Sequence, residues 1–526
     1  MKSLTLYLRH NWKLILLILA FLISNNLNHI IGFYTAYHKG LNYLSIPFVN
    51  SGDHFVYLSN IEQGAQGKMF IDNLFNYKSQ NRDLFAPHWY LMGQFSNLFN
   101  SSIVSYFIIR IISSLIFILV LIWLLKKIFG EKIFWPLFFI LFSNGFAYLA
   151  YPSLEQYNIL PTSIWMPESI TFDSLTQSPL FIMSQTLILL TFLLFIKAYE
   201  SKKTIYIILL LASNLFLSLI HPYDIPIILS VGGMTAICII YLNKSKKIIP
   251  YYLGLLLTSL PMAYYYWWLL QDPVMSEHHQ QNILKSPNLL SYIIGYGLIL
   301  VLFVFGLVYI KKNKELILKN NYLLLVCLWS LMGFILVYLP LDFNRRLSNG
   351  WHIALCIIAF YGIKYLNKKS RLKYIYLSVI TFFIFFDTLL KIILPIYYLE
   401  AYNNMMFFDN DRKAIWQKIK QESKPGDIFL SYPNDGIQIP AFTARNVYIG
   451  HRMQTWEFDK KNIELQELLA KPQDISAWLK EKGIDYIFIS SDFVSDFNEK
   501  KWLSNEPYLQ TIINNERFIL LKVLAP

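Results

Sequence analysis

Long apolar stretches, interrupted by short polar and basic ones, make up most of the first 400 residues. A helix needs about 20 residues to cross the roughly 30 Å hydrocarbon core of a bilayer, so stretches of this length predict membrane-spanning helices. Several of them are only 17 or 18 residues long. We predict eleven spans, at 12–31, 102–125, 133–150, 179–196, 204–221, 225–242, 248–270, 289–310, 322–341, 350–366 and 374–396.

The pattern changes after residue 400, where shorter amphipathic stretches alternate with apolar runs of strand length. Such alternation is typical of a small α/β domain. We predict helices at 412–422, 459–469 and 474–482, and strands at 427–431 and 485–490. The predicted fold is therefore an all-α polytopic membrane domain over residues 1–400, followed by a small extracytoplasmic α/β domain over residues 401–526.

The first loop between predicted spans, residues 32–101, is 70 residues long, which is enough for a function of its own. Two stretches in it, 54–63 and 84–99, carry apolar residues at helical spacing, and the second has Pro87 in its first turn. We predict two amphipathic helices, both able to lie flat on the membrane surface.

Composition agrees with this pattern. Of the 526 residues, 55% are hydrophobic and 17% aromatic, and the mean hydropathy is +0.40, which excludes a soluble protein. The cysteines, Cys238, Cys327 and Cys356, all lie in predicted spans, so the tail contains no disulfide.

Basic residues flank the predicted spans unequally. Six segments that alternate on one side hold 21 Lys and Arg residues, among them Lys368, Lys369 and Arg371, whereas the opposite loops hold seven. Because basic loops are retained in the cytoplasm, we predict a protein of the inner (plasma) membrane with a cytoplasmic N-terminus and its C-terminal domain outside. The net charge of +13 follows this topology, so membrane lipids are predicted partners and nucleic acid is not.

Several motifs carry a family resemblance. The run GDHFVYLSNIEQG at 52–64 is followed by NLF at 73–75, LFAPHWYLMGQFSNLF at 84–99, and Arg110 in the second span before KKIFG. This pattern resembles the polytopic GT-C glycosyltransferases, in particular the bacterial protein-mannosyltransferase-like and lipid A aminoarabinose transferase-like branch. The resemblance implies a polyprenyl-phosphate-linked sugar donor, an extracytoplasmic glycan, lipid or protein acceptor, and an inverting transfer with the first-loop Asp as base or acceptor anchor.

Asp53 is the candidate base, since it follows Gly52 at the start of a predicted helix next to the membrane. The alternative is a helix N-cap, which Asp suits well. His54 stands where many members of the resembling family have a second acid. It can assist the base or orient the donor phosphate, or it can be an idle surface histidine.

Cations are needed to stabilise a departing phosphate. Arg345 and Arg346, in LDFNRRLSNG, lie at a predicted outer turn, and an Arg fork matches phosphate geometry. The alternative is a short hairpin whose cations extend to water. His221 and Asp224, in HPYD, mark another outer turn, for which a proline-punctuated helix hairpin is the alternative.

The second long outer segment, 151–178, contains acidic residues but no Lys or Arg. Any of Glu155, Glu168 and Asp173 can supply a second carboxylate, and Glu168 can equally cap a helix. Arg110 lies deep in the second span, where a charge must face protein or a water-filled cavity, and a structural ion pair is the alternative. Asp387 and Lys391, four residues apart in the last span, are predicted to pair with each other.

Two features of the tail remain open. Asp409 and Asp411 are candidate ligands of a divalent cation, or ordinary helix-capping residues. His451 and Arg452, in GHRMQT, either fold back over the membrane site or belong to a surface loop. No metal or other cofactor is otherwise indicated, because the metal and phosphate-loop motifs of soluble enzymes are absent from the sequence.

Together these features predict a membrane glycosyltransferase in which Asp53 and the pair Arg345 and Arg346 open onto a common cavity. Two alternatives remain. One is a lipid or glycan transporter or flippase, although no inverted repeat is evident in the sequence. The other is an envelope-assembly protein that has lost catalysis.

Overall fold

The computed structural model describes residues 2–47, 49–78, 80–367, 373–399 and 406–524, so Lys368, Lys369 and Arg371 lie outside the described residues. The chain divides into two compact units, each assembled from separate segments. The helical unit comprises Met1–Ile31, Ile108–Tyr265 and Leu284–Leu399. The sheet unit comprises Gly32–Phe107, Tyr266–Ile283 and Glu400–Pro526.

Each of the eleven predicted spans falls on helix. Among the described residues, five helical segments are long and apolar enough to cross a membrane, or seven if each of two bent pairs is one span. The other predicted spans are the shorter or less apolar helices Thr204–Ile220, Ile249–Leu269, Asn321–Leu336 and Trp351–Asn367. The chain is thus a multi-pass membrane protein.

The α-helices have the following bounds: Lys2–Asn25, Leu27–Lys39, Ser51–Ala65, Pro87–Asn97, Ser102–Phe129, Phe134–Phe142, Ala147–Leu154, Thr162–Trp165, Thr171–Thr176, Pro179–Ser201, Thr204–Ile220, Ile225–Asn243, Ile249–Leu269, Pro273–Gln281, Leu289–Tyr296, Leu298–Lys312, Glu315–Leu318, Asn321–Leu336, Trp351–Asn367, Lys373–Tyr398, Asn410–Glu422, Pro433–Gly436, Gln438–Thr443, Phe458–Leu469 and Ser476–Lys482. Short 3₁₀ turns lie at Glu155–Tyr157, Pro167–Ser169, Pro222–Asp224, Lys246–Ile248, Asn344–Ser348 and Phe497–Asn505.

One predicted span, 289–310, is sharply bent. Helices Leu289–Tyr296 and Leu298–Lys312 meet at 84° across Gly297, whose φ of 51° and ψ of −127° are open to glycine but strained for other residues. A Cβ on Gly297 would lie 2.7 Å from the ring of Phe146. The bend therefore depends on glycine for both its backbone conformation and its packing.

Two helices of the helical unit, Leu298–Lys312 and Trp351–Asn367, pack backbone to backbone. A Cβ on Gly306 would lie 2.0 Å from the carbonyl oxygen of Ile358, and one on Gly362 would lie 2.0 Å from that of Leu302. Small residues allow such close approach between helices in a membrane, where lipid tails are as apolar as leucine. This packing holds helix Trp351–Asn367, and with it the polar turn Asn344–Ser348 that precedes the helix.

Five strands form one mixed sheet in the sheet unit, in the spatial order Asn446–Val447, Ile428–Leu430, Tyr486–Ser490, Phe518–Val523 and Leu509–Asn514. The first three run parallel and the last two pair antiparallel. Two short antiparallel pairs join Asn42–Tyr43 to Phe407–Phe408 and Phe70–Ile71 to Leu84–Phe85. The helices and strands predicted for the tail are all confirmed, with ends that differ by at most two residues.

The two predicted helices of the first loop are Ser51–Ala65 and Pro87–Asn97, and they pack on each other. Their apolar residues Phe55, Leu58 and Ile61, and Trp89 and Met92, are buried within the protein. The prediction that both helices lie flat on the membrane is therefore wrong for these faces, because protein covers them.

Two glycines set the distance between these helices, and replacing one of them should destabilise the sheet unit. A Cβ on Gly93 would lie 2.2 Å from backbone atoms of Gly64 and Ala65. We expect Gly93→Ala to cost about 1–3 kcal/mol, as overpacking does, and to lower the thermal midpoint in detergent. The control is Gly232→Ala, also within a helix, where the new Cβ meets Leu255 at an ordinary 3.5 Å. Equal midpoints for the two variants would contradict the prediction.

Candidate active site

The helical unit places two arginines on one buried carboxylate. Arg345 and Arg346 lie on the 3₁₀ turn Asn344–Ser348, and Glu168 lies on the turn Pro167–Ser169. Oε1 of Glu168 is 3.1 Å from Nε of Arg345 and 3.5 Å from Nη1 of Arg346, and the Glu168 side chain is only 1% exposed. The guanidinium groups also lie over the rings of Trp165 and Phe181. We call Glu168, Arg345 and Arg346 the cationic cluster.

Glu168 stays ionised in this position. Burial by itself would raise the pKa of Glu168, but the charges of Arg346 and Arg345 outweigh it, with a smaller contribution from His221, and the pKa lies below its ordinary value. A carboxyl with a lowered pKa stabilises the fold above its ordinary pKa and loses this contribution only as the pH falls through the lowered value. Near neutral pH the cluster therefore combines two positive charges with one negative charge.

A third polar turn, Pro222–Asp224, holds the predicted pair His221 and Asp224. Nδ1 of His221 is 2.8 Å from Oδ2 of Asp224, and both side chains are buried. The amide nitrogen of Asn349 donates to both carboxylate oxygens of Asp224 at 3.1 Å and to Ser184 Oγ, while Gln185 donates to Oδ1 of Asn349. Asn349 thus ties this turn to the end of the arginine turn.

Asp173 pairs with Lys391, for which the sequence predicted a different partner. The ammonium of Lys391 forms an ion pair with Asp173 and donates to the carbonyl oxygen of Ser163. Asp387, four residues before Lys391, instead accepts hydrogen bonds from the backbone N–H groups of residues 147 and 148. The predicted mutual pairing of Asp387 and Lys391 is therefore wrong, because each side chain meets a partner on another segment.

Two further candidates lie apart from the cationic cluster. Glu155 is exposed on its 3₁₀ turn and accepts a hydrogen bond from the hydroxyl of Tyr151. Arg110 is fully buried, and it donates to Oδ1 of Asn26 at 2.8 Å and to the carbonyl oxygen of Thr176 at 3.3 Å. Asn26 lies at the break between helices Lys2–Asn25 and Leu27–Lys39, so Arg110 faces protein, as its depth in the span requires.

In the sheet unit, Asp53 lies in the first turn of helix Ser51–Ala65. The N-cap of this helix is Asn50, so the alternative that Asp53 is the cap is wrong. Oδ1 of Asp53 is 3.2 Å from Nε2 of His451, and the Asp53 side chain is 41% exposed. A carboxylate at this position combines a close contact with an imidazole and the access to solvent that a general base requires.

The side chain of His54 points away from solvent. Its side chain is fully buried, and Nδ1 lies 2.6 Å from the hydroxyl of Tyr106. The alternative of an idle surface histidine is therefore wrong. The contact fixes the ring but leaves the chemical role of His54 a prediction.

Of the two aspartates at the start of the tail, Asp409 has partners within the fold. Asp409 caps helix Asn410–Glu422 by accepting from the backbone N–H of Arg412, and it forms an ion pair with Arg517. The capping alternative is confirmed for Asp409. Within the described residues, no group of three or more His, Cys, Asp or Glu side chains is arranged to hold a metal ion.

Sequence reasoning missed Asn349, and it named Lys391 and His451 without finding their partners. Asn349 had a usable signal, because it is a polar residue next to Gly350 and lies three positions after Arg346. Lys391 had another signal, since a cation within an apolar span requires a partner. The pairing of His451 with Asp53 spans almost 400 positions, and no local pattern marks it.

Comparisons with known proteins agree on the fold. No protein-family model matches the chain, and no curated protein matches it in sequence. ArnT from Cupriavidus metallidurans bound to undecaprenyl phosphate is 10% identical, with a TM-score of 0.52 over 97% of this chain and 98% of that chain. The oligosaccharyltransferase of Archaeoglobus fulgidus tethered with an acceptor peptide is 12% identical, with a TM-score of 0.51 over 95% of this chain and 72% of that chain.

Both of these proteins are membrane glycosyltransferases of the GT-C type. At such low identity the likeness concerns the course of the backbone, and it extends over nearly the whole chain, including the first loop and the C-terminal sheet. The resemblance inferred from the motifs of the first loop is thereby confirmed: the chain has the fold of the polytopic GT-C membrane glycosyltransferases.

Proposed function

We propose that this chain is an integral-membrane glycosyltransferase that moves a sugar from a polyprenyl-phosphate-linked donor to an extracytoplasmic glycan, lipid or protein. In this proposal Arg345 and Arg346 bind the donor phosphate, and Asp53 accepts the proton of the acceptor hydroxyl. The transfer inverts the anomeric carbon, because the acceptor attacks opposite the departing phosphate.

The observation that carries the proposal is the cationic cluster. One carboxylate oxygen of Glu168 serves both guanidinium groups, which leaves an excess of positive charge in a mostly buried place. Within the part of the chain that the structure describes, Nη1 and Nη2 of Arg345 donate to no protein acceptor, although the side chain is only 16% exposed. Such a pair of donors matches two oxygens of a phosphate.

His221 and Asp224 support the same role. The carboxylate of Asp224 holds Nδ1 of His221, and Asn349 holds the carboxylate, so the imidazole has a fixed orientation. We propose that His221 assists the arginines in stabilising the negative charge that develops on the leaving phosphate.

The solved neighbours supply the lipid chemistry of the proposal. ArnT was solved with undecaprenyl phosphate and the oligosaccharyltransferase with an acceptor peptide. We propose the same class of lipid carrier here, while the sugar and the acceptor are left open between glycan, lipid and protein. The charge asymmetry of the loops supports a cytoplasmic N-terminus and an extracytoplasmic sheet unit in the plasma membrane.

The experiment follows the fate of a labelled donor. Membranes of the native cell, which contain the acceptor, receive undecaprenyl-phosphate glucose, galactose, mannose or N-acetylglucosamine with the label in the sugar. We expect one of these donors to be consumed, the label to enter a new product, and undecaprenyl phosphate to be released. Membranes lacking the chain should leave the donor unchanged.

A flippase would give a different result in the same experiment. It would move the intact donor from one leaflet to the other without releasing undecaprenyl phosphate. Donor that changes leaflet but stays chemically intact would contradict the proposal, as would equal consumption by membranes with and without the chain.

A further inference from the structure

His451 contacts the proposed base from a distant part of the sheet unit. Its Nε2 lies 3.2 Å from Oδ1 of Asp53, and the His451 side chain is 8% exposed. A mostly buried imidazole thus contacts a carboxylate whose side chain is 41% exposed. The contact is therefore suited to fixing the orientation of the carboxylate without covering it.

The contact at the other ring nitrogen, Nδ1, determines which nitrogen of His451 carries the hydrogen. The backbone N–H of Met453 donates to Nδ1 of His451 at 3.2 Å. Because Nδ1 accepts, the neutral imidazole carries its hydrogen on Nε2. Nε2, which carries the hydrogen, therefore faces Oδ1 of Asp53 at 3.2 Å.

The loop that carries His451 is held in place by hydrogen bonds to two other segments. Gln281 donates to the carbonyl oxygens of Arg452 and Thr455, and Asn282 donates to that of Met453. The hydroxyl of Thr455 donates to the carbonyl oxygen of Phe75. These contacts give the imidazole a fixed position, whereas a typical surface loop has few such contacts.

Gly52 provides the space in which the ring sits. A Cβ at this position would lie 3.2 Å from Nε2 of His451 and 3.3 Å from Cδ2. These distances are tighter than ordinary van der Waals contact, so a side chain at position 52 would push the ring by a few tenths of an ångström. The glycine that precedes the proposed base therefore makes room for its partner.

We propose that His451 is a positioning residue for Asp53, and that its Nε2–H holds Oδ1 so that Oδ2 faces the acceptor. This inference rests on the proposed function. In the reaction, Oδ2 takes the proton of the acceptor hydroxyl while the acceptor oxygen bonds to the anomeric carbon. The bond from that carbon to the phosphate oxygen breaks, and its electron pair leaves with the polyprenyl phosphate.

Two substitutions of His451 distinguish a role in positioning Asp53 from a role in holding the loop in place. His451→Gln places an N–H close to the position of Nε2 but loses the acceptor for Met453. His451→Asn keeps an acceptor near the position of Nδ1 but cannot reach Asp53. If His451 positions the base, the His451→Gln variant should retain most of the wild-type kcat. The His451→Asn variant should have a kcat about 10- to 100-fold lower, with KM for the donor unchanged.

The measurement uses the labelled undecaprenyl-phosphate hexose that the wild-type membranes consume. The reverse order, with Asn active and Gln inactive, would show that His451 only holds its loop and would overturn the inference. Full activity of both variants would overturn it as well. Reduced kcat in both variants, with a lowered thermal midpoint in both, would assign the effect to folding and count against positioning.

Gly52→Ala gives a second, independent perturbation with His451 still present. We expect a smaller loss of kcat, of several-fold, that vanishes when His451 is already Asn, because both changes act on one contact. Additive losses in the double variant would contradict this coupling.

Asp53→Asn separates failure of the inference from failure of the proposed function. If Asp53→Asn is inactive while His451→Asn is fully active, only the positioning role is lost. If Asp53→Asn is itself fully active, Asp53 is not the base and the proposed function fails in that part.

Discussion

Replacing Asp53 by Asn is expected to reduce sugar transfer by about 10²- to 10⁴-fold, the usual contribution of a general base. The amide has nearly the same shape as the carboxylate, and its oxygen can still lie against Nε2 of His451. It cannot take up the acceptor proton. The fold and the contact should therefore survive while the chemistry is lost.

The measurement is the release of undecaprenyl phosphate from the labelled donor, together with the thermal midpoint of the purified protein. Asp459→Asn is the matched control, because Asp459 also lies in the first turn of a helix in the sheet unit and pairs with Arg452 at 3.0 Å. We expect transfer by this control to be unchanged. Asp53→Asn with normal transfer would remove Asp53 from the mechanism.

The second large effect is expected at Arg345. Arg345→Gln removes the charge and the two terminal nitrogens, and we expect the affinity for undecaprenyl phosphate to fall about 30-fold, which corresponds to about 2 kcal/mol. Arg345→Lys should recover only part of the loss, because an ammonium does not reproduce the planar fork. Binding of undecaprenyl phosphate is measured by native mass spectrometry of the protein in detergent.

A double variant distinguishes direct binding from damage to the fold. Without Arg345, the buried carboxylate of Glu168 loses a partner, and an under-compensated buried charge is itself destabilising. Glu168→Gln added to Arg345→Gln removes that charge. If Arg345 contacts the phosphate, the double variant should still bind weakly, whereas restored affinity would mean that the single variant was only destabilised.

The matched control for this experiment is Lys285→Gln. Lys285 belongs to the same unit and pairs with Asp342 at 2.7 Å, but its side chain is 53% exposed. An exposed pair contributes little energy, so we expect lipid binding and stability to stay unchanged. A comparable loss in this control would show that binding depends on overall charge instead of the cationic cluster.

The secondary structure could be predicted because its signals are local. A stretch of about 20 apolar residues predicts a span whatever surrounds it, and each predicted span falls on helix. Prediction of the membrane part was incomplete at the bend in the predicted span 289–310. The 84° bend at Gly297 depends on one backbone conformation and on the close approach of Phe146, and neither changes the apolar pattern.

The partners of charged residues were harder to predict. Asp387 and Lys391 have the spacing of a helical pair, but burial favours the partner with the best geometry, and Asp173 provides it for Lys391. Likewise, the sequence marked Glu168 and the arginines as separate candidates, and nothing local linked them. An apolar environment makes each unpaired charge costly, so a buried charged residue requires a partner. How the helices and loops pack decides which residue that partner is.

By itself, the sequence determined that this chain is a multi-pass helical membrane protein with an α/β tail and an acidic residue at the start of a first-loop helix, because these properties depend on neighbouring residues and on hydropathy. Only the tertiary structure decided that Glu168 joins Arg345 and Arg346, and that His451 meets Asp53. These contacts join positions more than 170 residues apart, and their geometry is set by how helices and loops pack, which no local pattern specifies.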